Sequence, residues 1–450
     1  MEGIMSTNKM ILGAKDKPTT GKWIALSFQH IFAMFGATIL VPILTGMPIA
    51  VALFTSGVGT LIYILCTKAK VPVYLGSSFA FLPQMITIMS SQELTKFEKY
   101  GQVLTGLLLV GLVYVVVAII IKFAGKKWID KVFPPVIIGP MIMLIGFGLA
   151  GSAVANAGLG TDVDGNWIGT WQEVVTAFVT LAIVVLIAIR GKGFIKVVPF
   201  LIGIAGGYIV GAILGLVDFS TIKNVITTPK EWIKIPEFVF LGFANKEVDF
   251  LGSTITIAKL NLASVISIVP IALVTICEHI GDHAVLSEIT GENYLVDPGL
   301  DNTLLGDGIA TAFAAMVGGP ANTTYGENTS VVGMTKIGSV WVTGLAAIIA
   351  ILLSFTNVFI KILDTIPNAV LGGMCLVLYG FIGFNGMKVL IEKKVDFSKL
   401  RNVVIVSVIL VIGLGGAVIG KGAFKIFGTG LAAVVGVILN LALPKEKEEN

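Results

Sequence analysis

Six titratable side chains stand in stretches of the chain that are otherwise apolar: His30, Glu278, His279, Asp282, His283 and Glu327. A charge at the centre of a lipid-crossing run costs about 2.5 kcal/mol or more, so such groups are functional candidates by default. On a helix, Glu278 and Asp282 are four apart and share one face. His279 and His283 form a second pair, rotated from the first by about 100°. A carboxylate withdrawn from water is disfavoured in its charged form, which suits Glu278 or Glu327 to taking up and releasing a proton. His30, set among Phe28, Phe32 and Phe35, can titrate in the same physiological range. For His30 and His279 a packing hydrogen bond is an equal alternative to a direct role. Asp282 has the alternative of a solvated place at the cytoplasmic end of its helix, and His283 is expected to face the adjoining loop.

These groups must be held by particular elements. Residues 319–330 read GPANTTYGENTS and contain no apolar residue bulkier than Ala321, apart from the aromatic Tyr325. Pro320 and Gly326 disfavour a continuous helix, while Thr323, Thr324 and Tyr325 favour extended backbone. A few extended residues followed by a half-helix starting near Gly326 are therefore expected. The same reasoning at Pro72 to Gly76 places a half-helix opening at Ser77. Extended backbone at membrane depth is tolerated only where protein buries it or where it lines a cavity. Two such stretches can satisfy each other by hydrogen bonding, leaving the N-terminal amides of each half-helix partly positive and aimed at the membrane centre.

The rest of the chain supplies the membrane setting. Of 450 residues, 55% are hydrophobic and only 13% charged, with a mean hydropathy of +0.94; soluble domains carry about 25% charged residues. Apolar runs fall near 23–45, 49–67, 72–90, 102–123, 133–152, 171–189, 195–217, 261–281, 303–318, 321–337, 339–360, 367–387, 402–420 and 424–443. Fourteen spans are expected in an all-α polytopic membrane protein, the third and tenth interrupted. With the N-terminus inside, 21 of the 31 basic residues fall on the cytoplasmic side, among them Lys9, Lys445 and Lys447; both termini are then cytoplasmic. No cleavable leader is recognised before Lys22. Cys66, Cys277 and Cys375 have no metal-ligand spacing and read as small hydrophobes.

The chain also resembles itself. FPPVIIGPM (133–141) is similar to IPNAVLGGM (366–374), Gln29-His30-Ile31 to Glu278-His279-Ile280, and the polar segments at Ser77 and Glu327 keep a similar offset. Two halves of seven spans are implied, and because seven is odd the second half must cross with opposite polarity. Transporters built on inverted repeats place the site where the repeats meet, on interrupted helices. Carboxylates that accept and backbone amides that donate suit a planar solute whose ring N–H groups alternate with carbonyls, stacked on an aromatic ring such as Phe79. Uracil, xanthine and urate all have this pattern. Metalloprotease, serine-hydrolase and P-loop motifs are absent from the sequence, which argues against an enzyme.

The quoted stretches, with QHIFAMFGATILVPIL (29–44), YLGSSFAF (74–81), EHIGDH (278–283), NTTYGEN (322–328) and LVLYGFIGFNGMKVLIE (376–392), resemble the nucleobase-ascorbate transporters, also called the nucleobase:cation symporter-2 family. The likeness runs over essentially the whole chain, and TTYGEN is similar to the uracil-type signature rather than the Gln-Asn pair of purine-type members. It implies proton-coupled import of uracil, with a xanthine or urate symporter as the alternative, no cofactor other than the coupling proton, no metal and no nucleic-acid partner. It also implies Glu278 and Glu327 as the substrate-binding glutamates, with backbone amides of Phe79 and Gly326 and with Tyr325 and Tyr379 lining the site. His30, Asp282, His283, Ser78 and Asn328 are assigned to supporting or proton-handling roles.

By the same resemblance, a core domain (23–123 and 261–360) moves against a gate domain (124–217 and 361–443), usually in a homodimer in the bilayer of a bacterial plasma membrane. Residues 1–22 and 444–450 are then cytoplasmic tails and 218–260 an extracellular loop, whose Trp232, Pro236, Phe238 and Phe240 suggest ordered surface packing. One departure from the family pattern matters. Some uracil permeases carry His four residues after the first glutamate, where this chain has Asp282. Either Asp282 takes over that supporting role or His283 rotates to cover it. Ala321 stands where a proline often precedes the Asn-Thr-Thr run.

Overall fold

The computed structural model describes residues 10–125, 127–420 and 426–444. Lys9, Lys126, Lys445 and Lys447 of the charge count lie outside the described residues. The first part of the chain forms α1 (Thr20–Thr45), α2 (Ile49–Cys66), the strand β1 (Leu75–Ser77), a 3-10 turn at Phe79–Phe81, α3 (Leu82–Met89) and α4 (Lys96–Ala124). After α5 (Lys127–Val132) come α6 (Pro135–Phe147), α7 (Ala150–Val154), α8 (Trp171–Arg190) and α9 (Pro199–Ile213). The polar residues flanking the apolar runs close these helices. Thr95 with Glu98 and Thr170 with Glu173 form reciprocal capping boxes at the starts of α4 and α8, satisfying amides that a helix start leaves free.

Residues 218–260 are not helical throughout. They carry α10 (Phe219–Thr227) and then β2 (Val239–Gly242), β3 (Lys246–Phe250) and β4 (Ser253–Lys259). β4 runs between β2, which is parallel to it, and β3, which is antiparallel. Thr254, Ile255, Thr256 and Ile257 supply the β-branched run that fits a pleated surface. Phe238 stacks edge-on against Phe54 of α2, so this insert is ordered packing on the helical body. It adds a small sheet to a chain expected to be all-α.

The order of the first part then recurs: α11 (Val265–Ile268) with α12 (Ala272–Thr290), α13 (Leu300–Val317), β5 (Asn322–Thr324), α14 (Gly326–Thr335) and α15 (Val340–Ser354). It closes with α16 (Asn357–Asp364), α17 (Asn368–Glu392), α18 (Leu400–Leu414), the short β6 (Val418–Ile419) and β7 (Ile426–Phe427), and α19 (Gly428–Ala442). Both α6 and α17 open directly after a proline in extended conformation, Pro134 and Pro367. Among the described residues, seven helices are long and apolar enough to cross a membrane. The molecule is a mostly helical, multi-pass membrane protein.

The helices pack in two groups. In one, α4 lies on α13, α13 on α2, α2 on α15 and α15 on α1, with α14 between α1 and α12. In the other, α6 lies on α17, α17 on α8, α8 on α9 and α18 on α19. Gly146 of α6 sits against Gly383 of α17 so closely that a Cβ on Gly146 would stand 2.3 Å from the Gly383 nitrogen; small residues let membrane helices approach in this way. The groups meet where the turn Val269–Ile271 before α12 touches α19, where α1 touches α9 and where α12 touches α6.

Candidate substrate site

β1 and β5 cross inside the first group and pair antiparallel, Leu75 with Thr324, Gly76 with Thr323 and Ser77 with Asn322. Side chains meet further backbone groups of the pair. Ser56 donates to the Leu75 carbonyl (2.7 Å), Thr60 accepts from the Leu75 amide (2.9 Å), and Thr311 donates to the Asn322 carbonyl (2.9 Å). Extended chain in the interior is thus braced by its neighbours, in keeping with its burial. The first half-helix begins at Phe79, two residues later than expected at Ser77. Ser77 is drawn into the ladder opposite Asn322, and the Ser78 amide donates to the Ala321 carbonyl (2.8 Å), so the backbone stays extended until the pairing ends. The second begins at Gly326.

Both half-helices start without a side-chain cap, and the amides of Phe79 and Gly326, first in their helices, have no intrahelical acceptor. A Cβ built on Gly326 meets no atom within 4 Å. This end of α14 therefore faces open space. Glu327 follows in the first turn, where a negative charge is favoured by the helix dipole. It is half-buried and lines a crevice with Phe32 and Gly36 of α1, Phe200 of α9, and Met374 and Leu378 of α17. The crevice runs along the seam between the two helix groups.

α12 brings its acids to the same place. Glu278 and Asp282 are half-buried and lie in electrostatic reach of Glu327. Asp282 accepts a hydrogen bond from the Thr324 hydroxyl at 2.6 Å; it lies in the middle of α12 and not at its end, and it anchors α12 to β5. Asn328 donates to Nδ1 and to the carbonyl of His30, both at 3.0 Å, which ties α14 to α1 behind Glu327. Ser78 is buried with its hydroxyl unpartnered among the described residues.

Two expected site residues are placed differently. Tyr325 is turned into the first helix group, not toward the acids. Its hydroxyl donates to the Ser77 carbonyl (2.9 Å) and accepts from Thr38 (3.2 Å), and its ring covers Gly76, where a Cβ would stand 2.4 Å from Cζ. Tyr325 locks the strand crossing. His283, expected at the loop, is fully buried. Its Nδ1 bonds the His279 carbonyl (2.7 Å), its Nε2 meets the Tyr63 hydroxyl, and its ring stacks on His279. Of the two candidates for the role of the missing histidine, Asp282 is the one beside β5. Tyr379 is buried beside Cys375, one turn earlier on α17.

Asp307, on α13, was not among the six residues. It is fully buried and accepts from or shares a proton with His279 Nδ1 at 2.8 Å. The same criterion that singles out Glu278 applies to it, since it lies within the apolar run 303–318.

The chain matches the model of a permease family over residues 21–422. It belongs to the nucleobase:cation symporter-2 permeases. A protein named uracil permease from Bacillus subtilis is 43% identical over 99% of this chain and 98% of its own length. Another from Bacillus caldolyticus is 44% identical over 97% and 95%, and one from Escherichia coli 37% over 96% and 93%. This permease also shares its fold with solved structures of low sequence identity. The transmembrane domain of a cyanobacterium bicarbonate transporter superposes with a TM-score of 0.61 at 14% identity, over 95% of this chain and all of that one. The murine Solute Carrier 26 family member A9 anion transporter gives 0.66 at 11%, over 95% and 68%. Membership of this family makes the chain a permease and not an enzyme.

Proposed function

We propose that this permease imports uracil by proton symport through alternating access. The observation that carries the reading is the reach of Glu278 and Asp282 to Glu327, with Asp282 bonded to Thr324 of β5 and the start of α14 at Gly326 facing open space. Relatives of near-equal length are named uracil permeases, which supports the choice of ligand. Glu278 and Glu327 accept the two ring N–H bonds, and the half-helix amides donate to the ring carbonyls. The charge-assisted bonds are the strong ones. A proton taken by one carboxylate removes charge from a half-buried site and couples the cycle. Asp282 holds the second half-helix in register through Thr324.

In this reading the chain crosses the membrane fourteen times as two inverted repeats of seven. The recurrent element order and the antiparallel β1–β5 pairing support it. The first helix group is the core, the second the gate, and the crevice at Glu327 lies on the sliding surface between them. The protein works as a homodimer in the plasma membrane of a bacterium, with both termini in the cytoplasm. The test is uptake of labelled uracil into proteoliposomes with and without an inward proton gradient, with excess unlabelled xanthine as competitor. Accumulation that requires the gradient and ignores xanthine is expected. Uptake of xanthine or urate in place of uracil would overturn the ligand, and uracil uptake indifferent to the gradient would overturn the coupling.

A further inference from the structure

Behind the substrate carboxylates, α12 carries a second polar cluster that the substrate does not need. His279, His283, Asp307 and Tyr63 are all fully buried, in the angle between α2, α12 and α13. The His283 state follows from its partners. The His279 carbonyl can only accept, so His283 Nδ1 carries the hydrogen; Nε2 is then the acceptor of the Tyr63 hydroxyl. Both ring nitrogens of His283 are used in the neutral form.

His279 and Asp307 differ. One nitrogen and one oxygen meet at 2.8 Å, while His279 Nε2 and Asp307 Oδ1 are buried without a hydrogen-bond partner among the described residues. No lysine or arginine among those residues pairs with Asp307; His279 is its ion-pair partner. With one proton in the pair, between Nδ1 and Oδ2, a net negative charge is buried in an apolar interior. A second proton, on Nε2 or on Oδ1, cancels it. Leaving a buried charge uncompensated is costly, and a plain structural brace would not need atoms that stand unpaired. The other titratable groups in reach of the pair are Tyr63 of α2, Tyr114 of α4, and Glu278, Asp282 and His283 of α12 itself, with Cys66 and Tyr294 beside Tyr63 and Cys277 beside Tyr114. Asp307 is in electrostatic reach of both Glu278 and Asp282.

We propose that Asp307 and His279 form a proton-binding site separate from the substrate carboxylates, and that its occupancy sets the charge against which Glu278 and Asp282 hold their ligand. This rests on the symport reading above. The proton enters as H+ and leaves as H+, with no bond to substrate made or broken. Loading the pair lowers the negative charge behind α12 and lets Glu278 remain ionised for the ring N–H; unloading it makes ionised Glu278 and Asp282 less favourable.

The experiment compares the parent with Asp307→Asn and His279→Gln, each reconstituted in proteoliposomes containing a pH-sensitive dye. Three readouts are taken: equilibrium binding of labelled uracil, uracil–uracil counterflow without a gradient, and gradient-driven accumulation with lumenal acidification. The expected result is that the variants keep binding and counterflow but lose accumulation, down to the no-gradient level, together with uracil-dependent acidification. Should Asp307→Asn fail to fold, His279→Gln carries the same test. Accumulation and acidification at parental levels in a folded variant would overturn the inference. So would a parallel loss of counterflow and accumulation in folded protein, which marks a structural role. A parent that takes up uracil without acidifying the lumen would contradict symport itself, and with it this inference.

Discussion

The two faces of α12 hold similar chemistry in opposite settings. On one, Glu278 and Asp282 are half-buried and look across at Glu327 and the open space over Gly326. On the other, His279 and His283 are sealed against α2 and α13, with Asp307 and Tyr63 as partners. Acids on the first face outnumber the donors offered to them, since Asp282 has Thr324 but the cluster has no ion-pair partner among the described residues. They therefore suit a ligand that brings N–H groups. The four side chains of the second face are fully buried. One helix can separate substrate recognition from charge storage because adjacent residues point about 100° apart.

Substitutions can break or sharpen this contrast. The largest effect is expected for Glu327→Gln on the open face. Losing a charge-assisted hydrogen bond worth about 3 kcal/mol weakens uracil binding roughly 100-fold, measured by titration of purified protein; unchanged affinity would remove Glu327 from the site. Next comes Gly76→Val, which forces a side chain into the Tyr325 ring and the Thr38 hydroxyl. Overpacking there is expected to cost about 3 kcal/mol, read as a lowered melting temperature with transport lost in step. Thr324→Val removes the donor to Asp282 and should weaken uracil binding by about 1 kcal/mol, roughly fivefold, with the melting temperature little changed. The smallest effect is set by an acid in water. Asp396, in the loop before α18, is held below the usual carboxylate range by the hydroxyl and amide of Ser398. Asp396→Asn should leave uptake within about twofold of the parent, as surface changes usually do.

Much of the open face was legible in the sequence, because backbone punctuation and composition are local. Pro320, Gly326 and the Thr323–Tyr325 run mark an extended stretch and a helix start, and the structure has β5 and α14 there. The local run around Ser77 points to a half-helix two residues early, because the ladder to Asn322 is a contact across 245 residues. The closed face was largely illegible for the same reason. Tyr63 meets His283 across 220 residues and Asp307 meets His279 across 28, so neither partner can be found by helical spacing. Tyr325 reads as a ring beside a glutamate, yet the gap over Gly76 that receives it exists only once the strands cross. The small sheet in 218–260 is not legible locally, because the short alternating Thr-Ile run of β4 gains its meaning only from pairing with β2 and β3.

The central claim is that the acids at the strand crossing bind uracil and that a proton travels with it. The most direct measurement is lumenal pH in proteoliposomes on addition of uracil under an inward proton gradient, recorded for the parent and for Glu327→Gln. The account predicts uracil-dependent acidification by the parent and none by the variant. Uracil entry into the parent vesicles with no acidification, or equal acidification by both proteins, would contradict it.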